Sequence, residues 1–207
     1  MPPQPARPQT SALRHNCAVK ADGSVACWGK NDLGQATPPA GTFGQVATGA
    51  AYSCDVKADG GLVCWGANDY ATPPVGTFRQ VSTGYLHSCG VQGDGNLVCW
   101  HNRYATQPAG TFSQVSAGSW HICGVKIDGS LACWGESYYG ETTPPAGTFS
   151  QVSAGLYFSC GVMTSGSASC LGGQQQRPGH ATGGYLHADL HWQPAHHYRS
   201  ARLWCED

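Results

Sequence analysis

This chain writes the same cysteine bracket five times, Cys17/Cys27, Cys54/Cys64, Cys89/Cys99, Cys123/Cys133 and Cys160/Cys170. Successive first cysteines stand 37, 35, 34 and 37 residues apart. That is the size of a supersecondary unit, and self-similarity at such a period marks a repeat architecture in which neighbouring units bury one another's apolar faces. Few constraints narrow the fold of a chain more.

Each bracket reads as a β-hairpin. In "CAVKADGSVAC" the pairing of Cys17 with Cys27 sets Val19 against Val25 and Lys20 against Ser24. Ala21, Asp22 and Gly23 are then left as a three-residue loop, which wants a left-handed residue at its end, and Gly23 is there. The same arithmetic sets Val56 against Leu62, Val91 against Leu97, Val125 against Leu131 and Val162 against Ala168. Gly60, Gly95, Gly129 and Gly166 close those turns. Counted outward from a hydrogen-bonded closing pair, the cysteines fall where antiparallel strands approach most closely, so a cross-strand disulfide is expected in all five units. One step further out, His15, Tyr52, His121 and Phe158 face Gly29, Gly66, Gly135 and Gly172, an arrangement in which a ring covers a bare strand glycine. The third unit breaks the pattern with His87 facing His101. Trp28, Trp65, Trp100 and Trp134 follow the second cysteine directly and are expected in the packing between units, with Leu171 in their place in the fifth.

The rest of the unit repeats as well. After a proline-bearing loop ("TPPAGTF", "TPPVGTF", "TQPAGTF", "TPPAGTF") comes a strand with Phe43 and Val46, Phe78 and Val81, Phe112 and Val115, or Phe149 and Val152, ending in small residues. Small side chains at one end of a repeated strand suit the axis of a radial array, and prolines suit its rim, where no ladder bond is lost. The stretches "VSAGSWHICGVKIDGSLACWG" and "VSTGYLHSCGV" resemble the regulator of chromosome condensation repeat family, in the short bacterial form that also builds a secreted β-lactamase inhibitor protein. The resemblance covers about residues 13–172 and implies that each unit is one four-stranded propeller blade, in a family whose propellers usually have seven blades. It also carries guanine nucleotide exchange and β-lactamase inhibition, and no residue here matches either activity. The fold expected is therefore all-β, a propeller-type repeat array of about five blades, incomplete or open, because five hairpins are accompanied by only four Gly-Thr-Phe strands.

By this reading residues 1–11 are a flexible, proline-rich leader. Five repeats follow at 12–49, 50–84, 85–118, 119–155 and 156–172, and 173–207 form an irregular tail. Only 11% of the 207 residues are charged and the formal net charge is −1, so the basic footprint of a nucleic-acid binder is missing. No stretch is long and apolar enough to cross a membrane. Ten of the eleven cysteines are paired by position, which favours an oxidising, extracellular or cell-surface location, although residues 1–11 hold no apolar core of a secretory signal. Cys205 is left over.

Chemistry-bearing constellations are few. The recurrent Asp22, Asp59, Asp94 and Asp128 stand in hairpin turns, where Asp bonds its own backbone, and no nucleophile elbow or phosphate loop appears. An enzyme is not expected, and no cofactor is implied. In the tail, His187 and His191 are one helical turn apart, with His196, His197 and Cys205 nearby. This spacing is looser than zinc motifs use, and a polar terminus is the preferred reading.

What varies between units points to recognition. The loops after each Trp-Gly or its equivalent offer Tyr70, Arg103, Tyr104, Tyr138 and Tyr139, and a second row before the brackets offers Tyr85, Leu86, Trp120, Leu156 and Tyr157. Tyr, Trp and Arg dominate protein-binding hot spots. The candidate binding residues are Tyr70, Arg103, Tyr104, Trp120, Tyr138, Tyr139 and Tyr157, with a protein as the expected partner. A carbohydrate, on which exposed aromatic rings also stack, and a self-assembling surface or filament subunit joined through open blade edges are the alternatives.

Overall fold

A computed structural model describes residues 15–67, 71–101 and 107–173. They form fourteen antiparallel strands in five successive sheets, with no helix among them. The first sheet pairs β1 (His15–Val19) with β2 (Val25–Gly29). The next three join β3 (Phe43–Thr48), β4 (Tyr52–Lys57) and β5 (Leu62–Gly66); β6 (Phe78–Thr83), β7 (Ser88–Gln92) and β8 (Leu97–Trp100); and β9 (Phe112–Ala117), β10 (His121–Lys126) and β11 (Leu131–Gly135). The last joins β12 (Phe149–Ala154), β13 (Phe158–Met163) and β14 (Ala168–Gly172). The sheets are out of phase with the sequence units, since the Gly-Thr-Phe strand that ends one unit pairs with the hairpin of the next.

The hairpin register is the one the cysteines dictate. Val19 faces Val25, Val56 faces Leu62 and Val125 faces Leu131. All five brackets are closed as expected, by the disulfides Cys17–Cys27, Cys54–Cys64, Cys89–Cys99, Cys123–Cys133 and Cys160–Cys170, with Cα atoms 4.0–4.1 Å apart. In the three middle brackets the two cysteines are not equally covered. Cys54, Cys89 and Cys123 on the middle strands are fully buried, whereas their partners Cys64, Cys99 and Cys133 on the outer strands are only partly buried and pack against the margin of the same apolar clusters. At the turn, Gly23 has φ +80° and donates its N–H to Lys20 O at 2.9 Å. Asp22 Oδ1 accepts from Ser24 N–H at 2.9 Å, and Asp59, Asp94 and Asp128 repeat the bond, so the turn aspartates are occupied locally.

Two expectations are corrected. The family resemblance implies four strands per blade, whereas each described sheet has three or, at the start, two. Pro38–Pro39, Pro73–Pro74 and Pro144–Pro145 lie in the segments that follow the outer strands, and a pair of prolines has no N–H with which to extend a ladder. The rings before the brackets also do not lie over the glycines that face them. They lie over Gly49, Gly84, Gly118 and Gly155 at the ends of the inner strands, where an added Cβ would stand 2.6–3.0 Å from ring atoms of Tyr52, His87, His121 and Phe158. The facing glycines are needed for their backbone instead. Gly66 and Gly135 take φ of +113° and +111°, and a Cβ there would meet the carbonyl oxygens of Ala51 and Trp120 at 2.6 and 2.7 Å.

Sheet packs on sheet through the two ends of each hairpin. The turn glycine of one sheet accepts the first N–H of the next inner strand, as in Phe43 N to Gly23 O at 2.8 Å, and the pattern recurs at Phe78, Phe112 and Phe149. Between these contacts lies an apolar layer. Cys89, Val91 and Leu97 on the trailing face of the third sheet meet Phe112, Val115, Ile122 and Trp134 on the leading face of the fourth. Cys123, Val125 and Leu131 meet Phe149, Val152 and Leu171 in the same way. Trp65 and Trp134 are buried there, at 8% and 6% exposed, but Trp28 is 47% exposed, because no described sheet precedes its own. The five sheets stand as an open arc, with the inner strands lining a trough of about 510 Å³.

Candidate recognition surface

Inner and outer strands of a sheet run in the same direction, with the middle strand antiparallel to both. The turn from inner to middle strand and the loop after the outer strand therefore leave at the same end of every sheet. Both variable rows share that end, and the backbone ties them together: Glu136 N–H donates to Trp120 O at 3.0 Å and Gly173 N–H to Tyr157 O at 2.7 Å.

Aromatic side chains gather here. Tyr138 and Tyr139 are 65% and 63% exposed, and Tyr139 meets Tyr157 edge-on with ring centroids 5.5 Å apart. Trp120, half-buried, lies 5.1 Å from Tyr85 in a tilted contact. Ser119 N–H donates to Gly155 O at 3.1 Å, which holds the Trp120 turn beside the Leu156–Tyr157 turn. Four of the candidate residues, Trp120, Tyr138, Tyr139 and Tyr157, are thus brought to one end of the last two sheets, where Tyr85 and Leu156 join them. Tyr70, Arg103 and Tyr104 lie outside the described residues, as does the tail with His187, His191, His196, His197 and Cys205.

The loop that presents Tyr138 and Tyr139 is built from a buried acid. Glu141 is 1% exposed, and its carboxylate accepts the Tyr139 N–H at 2.7 Å. The first loop uses Gln35 in the same role, accepting from Leu33 N–H at 2.8 Å, while Gln35 O receives Trp65 Nε1–H at 3.0 Å. The sheets below are rigidified by buried polar pairs: His15 Nε2 to Ser53 Oγ and His121 Nε2 to Ser159 Oγ, both at 2.7 Å, and Tyr52 Oη to His87 O at 2.7 Å. Burial pushes His15 and His121 below the ordinary histidine range and His87 down to about 4, so these rings are neutral structural groups at neutral pH. No cluster of three or more potential metal ligands occurs among the described residues.

The sequence reading passed over a recurrent glutamine. Gln45, Gln80 and Gln114 each reach from an inner strand to the next one, where the carboxamide NH2 donates to a valine C=O and the amide oxygen accepts the N–H of the same valine. The distances are 3.0 and 3.0 Å to Val81, 3.0 and 2.9 Å to Val115, and 3.0 and 2.8 Å to Val152. Ser82 and Ser116 add a bond from Ala117 N–H and Ala154 N–H at 3.0 and 2.9 Å. The sequence signal was there, a Gln directly before the inner-strand Val in all four copies.

A family model described as regulator of chromosome condensation (RCC1) repeat matches residues 13–35 and 112–141. Among solved structures, the chain is similar to the CRINKLY WD40 ectodomain of the Arabidopsis thaliana receptor kinase ACR4, at 26% identity and a TM-score of 0.66, covering 77% of this chain and 62% of that one. The ectodomain of the Physcomitrella patens receptor kinase CR4 shares 23% identity over 76% of this chain and 49% of its own, with a TM-score of 0.66. Prp20p from Saccharomyces cerevisiae, whose structure was described with its binding to Gsp1p and histones, shares the fold at 16% identity and a TM-score of 0.65, over 78% of this chain and 56% of its own. This chain spans half to three-fifths of the length of these structures. No curated protein sequence matches it.

Proposed function

We propose that this chain, two stretches of which match the regulator of chromosome condensation repeat, is a protein-binding module working outside the cytoplasm, recognising its partner through the aromatic end of its last two sheets. The observation that carries the reading is the joined surface of Trp120, Tyr138, Tyr139 and Tyr157, where two of the rings are more than 60% exposed on a frame that does not need them for its core. Large aromatic side chains on a rigid support give contact area at low entropic cost, which is what a binding hot spot requires. Tyr70, Arg103 and Tyr104 belong to the same sequence row as Tyr138 and Tyr139 and enter the proposal on that ground. Five disulfides support the location, since such bonds persist in oxidising compartments, and the likeness to receptor ectodomains agrees with it. The likeness to Prp20p, described with its protein partners, supports a protein as the ligand class.

The test compares wild-type protein with the Tyr138→Ala, Tyr139→Ala, Tyr157→Ala triple variant as baits against the secreted and surface proteins of the native source. The expected result is a partner retained by the wild type and lost, by tenfold or more, from a variant whose melting temperature is nearly unchanged. Equal retention by both baits overturns the assignment of the surface. Binding of the wild type to a glycan array with no protein retained replaces the protein by a sugar.

A further inference from the structure

At three of the four junctions in the arc, where the trailing face of one sheet is covered by the leading face of the next, the same groups meet. A Gln clasps a Val, a bracket disulfide packs inward, and the Val after the first cysteine is buried: Val56 at 7%, Val91 at 0% and Val125 at 1% exposed. The fifth sheet has every one of these groups and nothing described over them. Val162 is 38% and Phe158 43% exposed, the Cys160–Cys170 bond lies on the same face, and Gln151 and Ser153, in the positions of Gln114 and Ser116, are exposed with no side-chain hydrogen bond among the described residues. At the other end of the arc stands the complementary half. On β1 and β2, Trp28 occupies the position that buries Trp65 and Trp134 against a preceding sheet, and it is exposed together with Ala18.

We propose that the open face of the fifth sheet receives the Trp28 face of a second copy of this chain, in a head-to-tail contact that repeats the packing seen between sheets inside the molecule. The two faces match in chemistry. Phe158, Val162, Ala168, Gln151 and Ser153 on one side and Asn16, Ala18, Ala26 and Trp28 on the other carry no charge, so no ion is stripped of water when they meet. A contact between two different faces does not saturate itself, and it leads to chains or rings of copies.

Two variants separate the halves. Val162→Arg blocks the receiving face and leaves the inserting face intact, whereas Trp28→Arg does the reverse. Both positions are more than a third exposed, so both variants are expected to keep the wild-type circular dichroism and melting temperature. In sedimentation across a hundredfold range of concentration, the wild type is expected to rise in mass with concentration. Each variant alone should stay at the 21.7 kDa of one chain, and their equimolar mixture should reach twice that mass and no more. A wild type that remains a single chain throughout overturns the proposal, and so does a mixture that stays monomeric or association that survives both substitutions. If Val162→Arg fails to fold, Gln151→Ala combined with Phe158→Ser serves as the receiving-face block in the same mixture, with the same outcomes.

Discussion

His101 holds φ at 53°, the only described residue other than glycine in the left-handed region. Its counterparts after the other tryptophans are Gly29, Gly66 and Gly135, all at positive φ, so the backbone demands this conformation whatever residue is present. Histidine at such a place costs about 1–2 kcal/mol. His101→Gly is therefore expected to stabilise the protein by about 0.5–1 kcal/mol after the extra freedom of glycine in the unfolded chain is counted, read as a higher midpoint in urea. A second residue-scale prediction concerns pH. His87, held at about 4, and His15 and His121, also lowered, are neutral when folded but take up protons near pH 6.5 when unfolded. Their contribution to stability is whole above that pH and is lost as pH falls through the folded values. Asp55 opposes them. Burial pushes its carboxyl up to about 6, so its contribution is present below its ordinary 3.8 and is lost as pH rises through 6. Three groups outweigh one, and the melting temperature is expected to fall between pH 7.5 and pH 5. Asp55→Asn should melt higher than the wild type at pH 7.5 and show a steeper fall, since the opposing group is gone. A fall as shallow as the wild type's would remove Asp55 from this account.

Elements are held to one another by a device that works across repeats. The inner strands are sheet edges, and an edge with open N–H and C=O groups invites foreign pairing. Gln45, Gln80 and Gln114 close three of those edges by occupying both groups of a valine on the following strand. Gln80→Ala or Gln114→Ala leaves two backbone groups unpaired and is expected to cost about 1–3 kcal/mol. Gln151→Ala, at the same position with nothing described to clasp, is expected to cost almost nothing in dilute solution. Chemical denaturation of the three variants side by side checks the contrast, and equal losses would mean that the side chain acts within its own strand. The same contrast shows why some of the structure was legible in advance. The hairpins, their Asp-Gly turns and the five disulfides rest on pairings within eleven residues, and the letters contain them. The clasp joins residues 35 to 38 apart, so its partner is chosen by how sheets stack and not by anything near Gln80 in the chain. The positions of the tyrosines fell between these cases. Their shared end follows from strand direction, but the contact of Tyr139 with Tyr157 depends on the Glu141 loop, whose inward-turned acid no local pattern announces.

At the scale of the whole molecule, burial is graded along the arc. Cys54, Cys89 and Cys123 are fully buried, while Cys17 and Cys160 are only partly covered because each belongs to an end sheet. With a soluble thiol in dilute solution, the Cys17–Cys27 and Cys160–Cys170 bonds are expected to open before Cys54–Cys64, Cys89–Cys99 and Cys123–Cys133, as followed by timed alkylation and peptide mass analysis. Each bond that opens removes at most about 3 kcal/mol on the loop-entropy view. Simultaneous opening of all five would mean that the arc unfolds as one cooperative block and not from its ends. The turn glycine that accepts the first N–H of the following inner strand, at Gly23, Gly60, Gly95 and Gly129, has a consequence for heredity. Every unit offers its successor the same landing point, made by backbone atoms whose position survives changes of side chain. A gene of this kind can therefore gain or lose a whole unit by recombination between its own copies, and the encoded protein meets the new joint with a fit it already has.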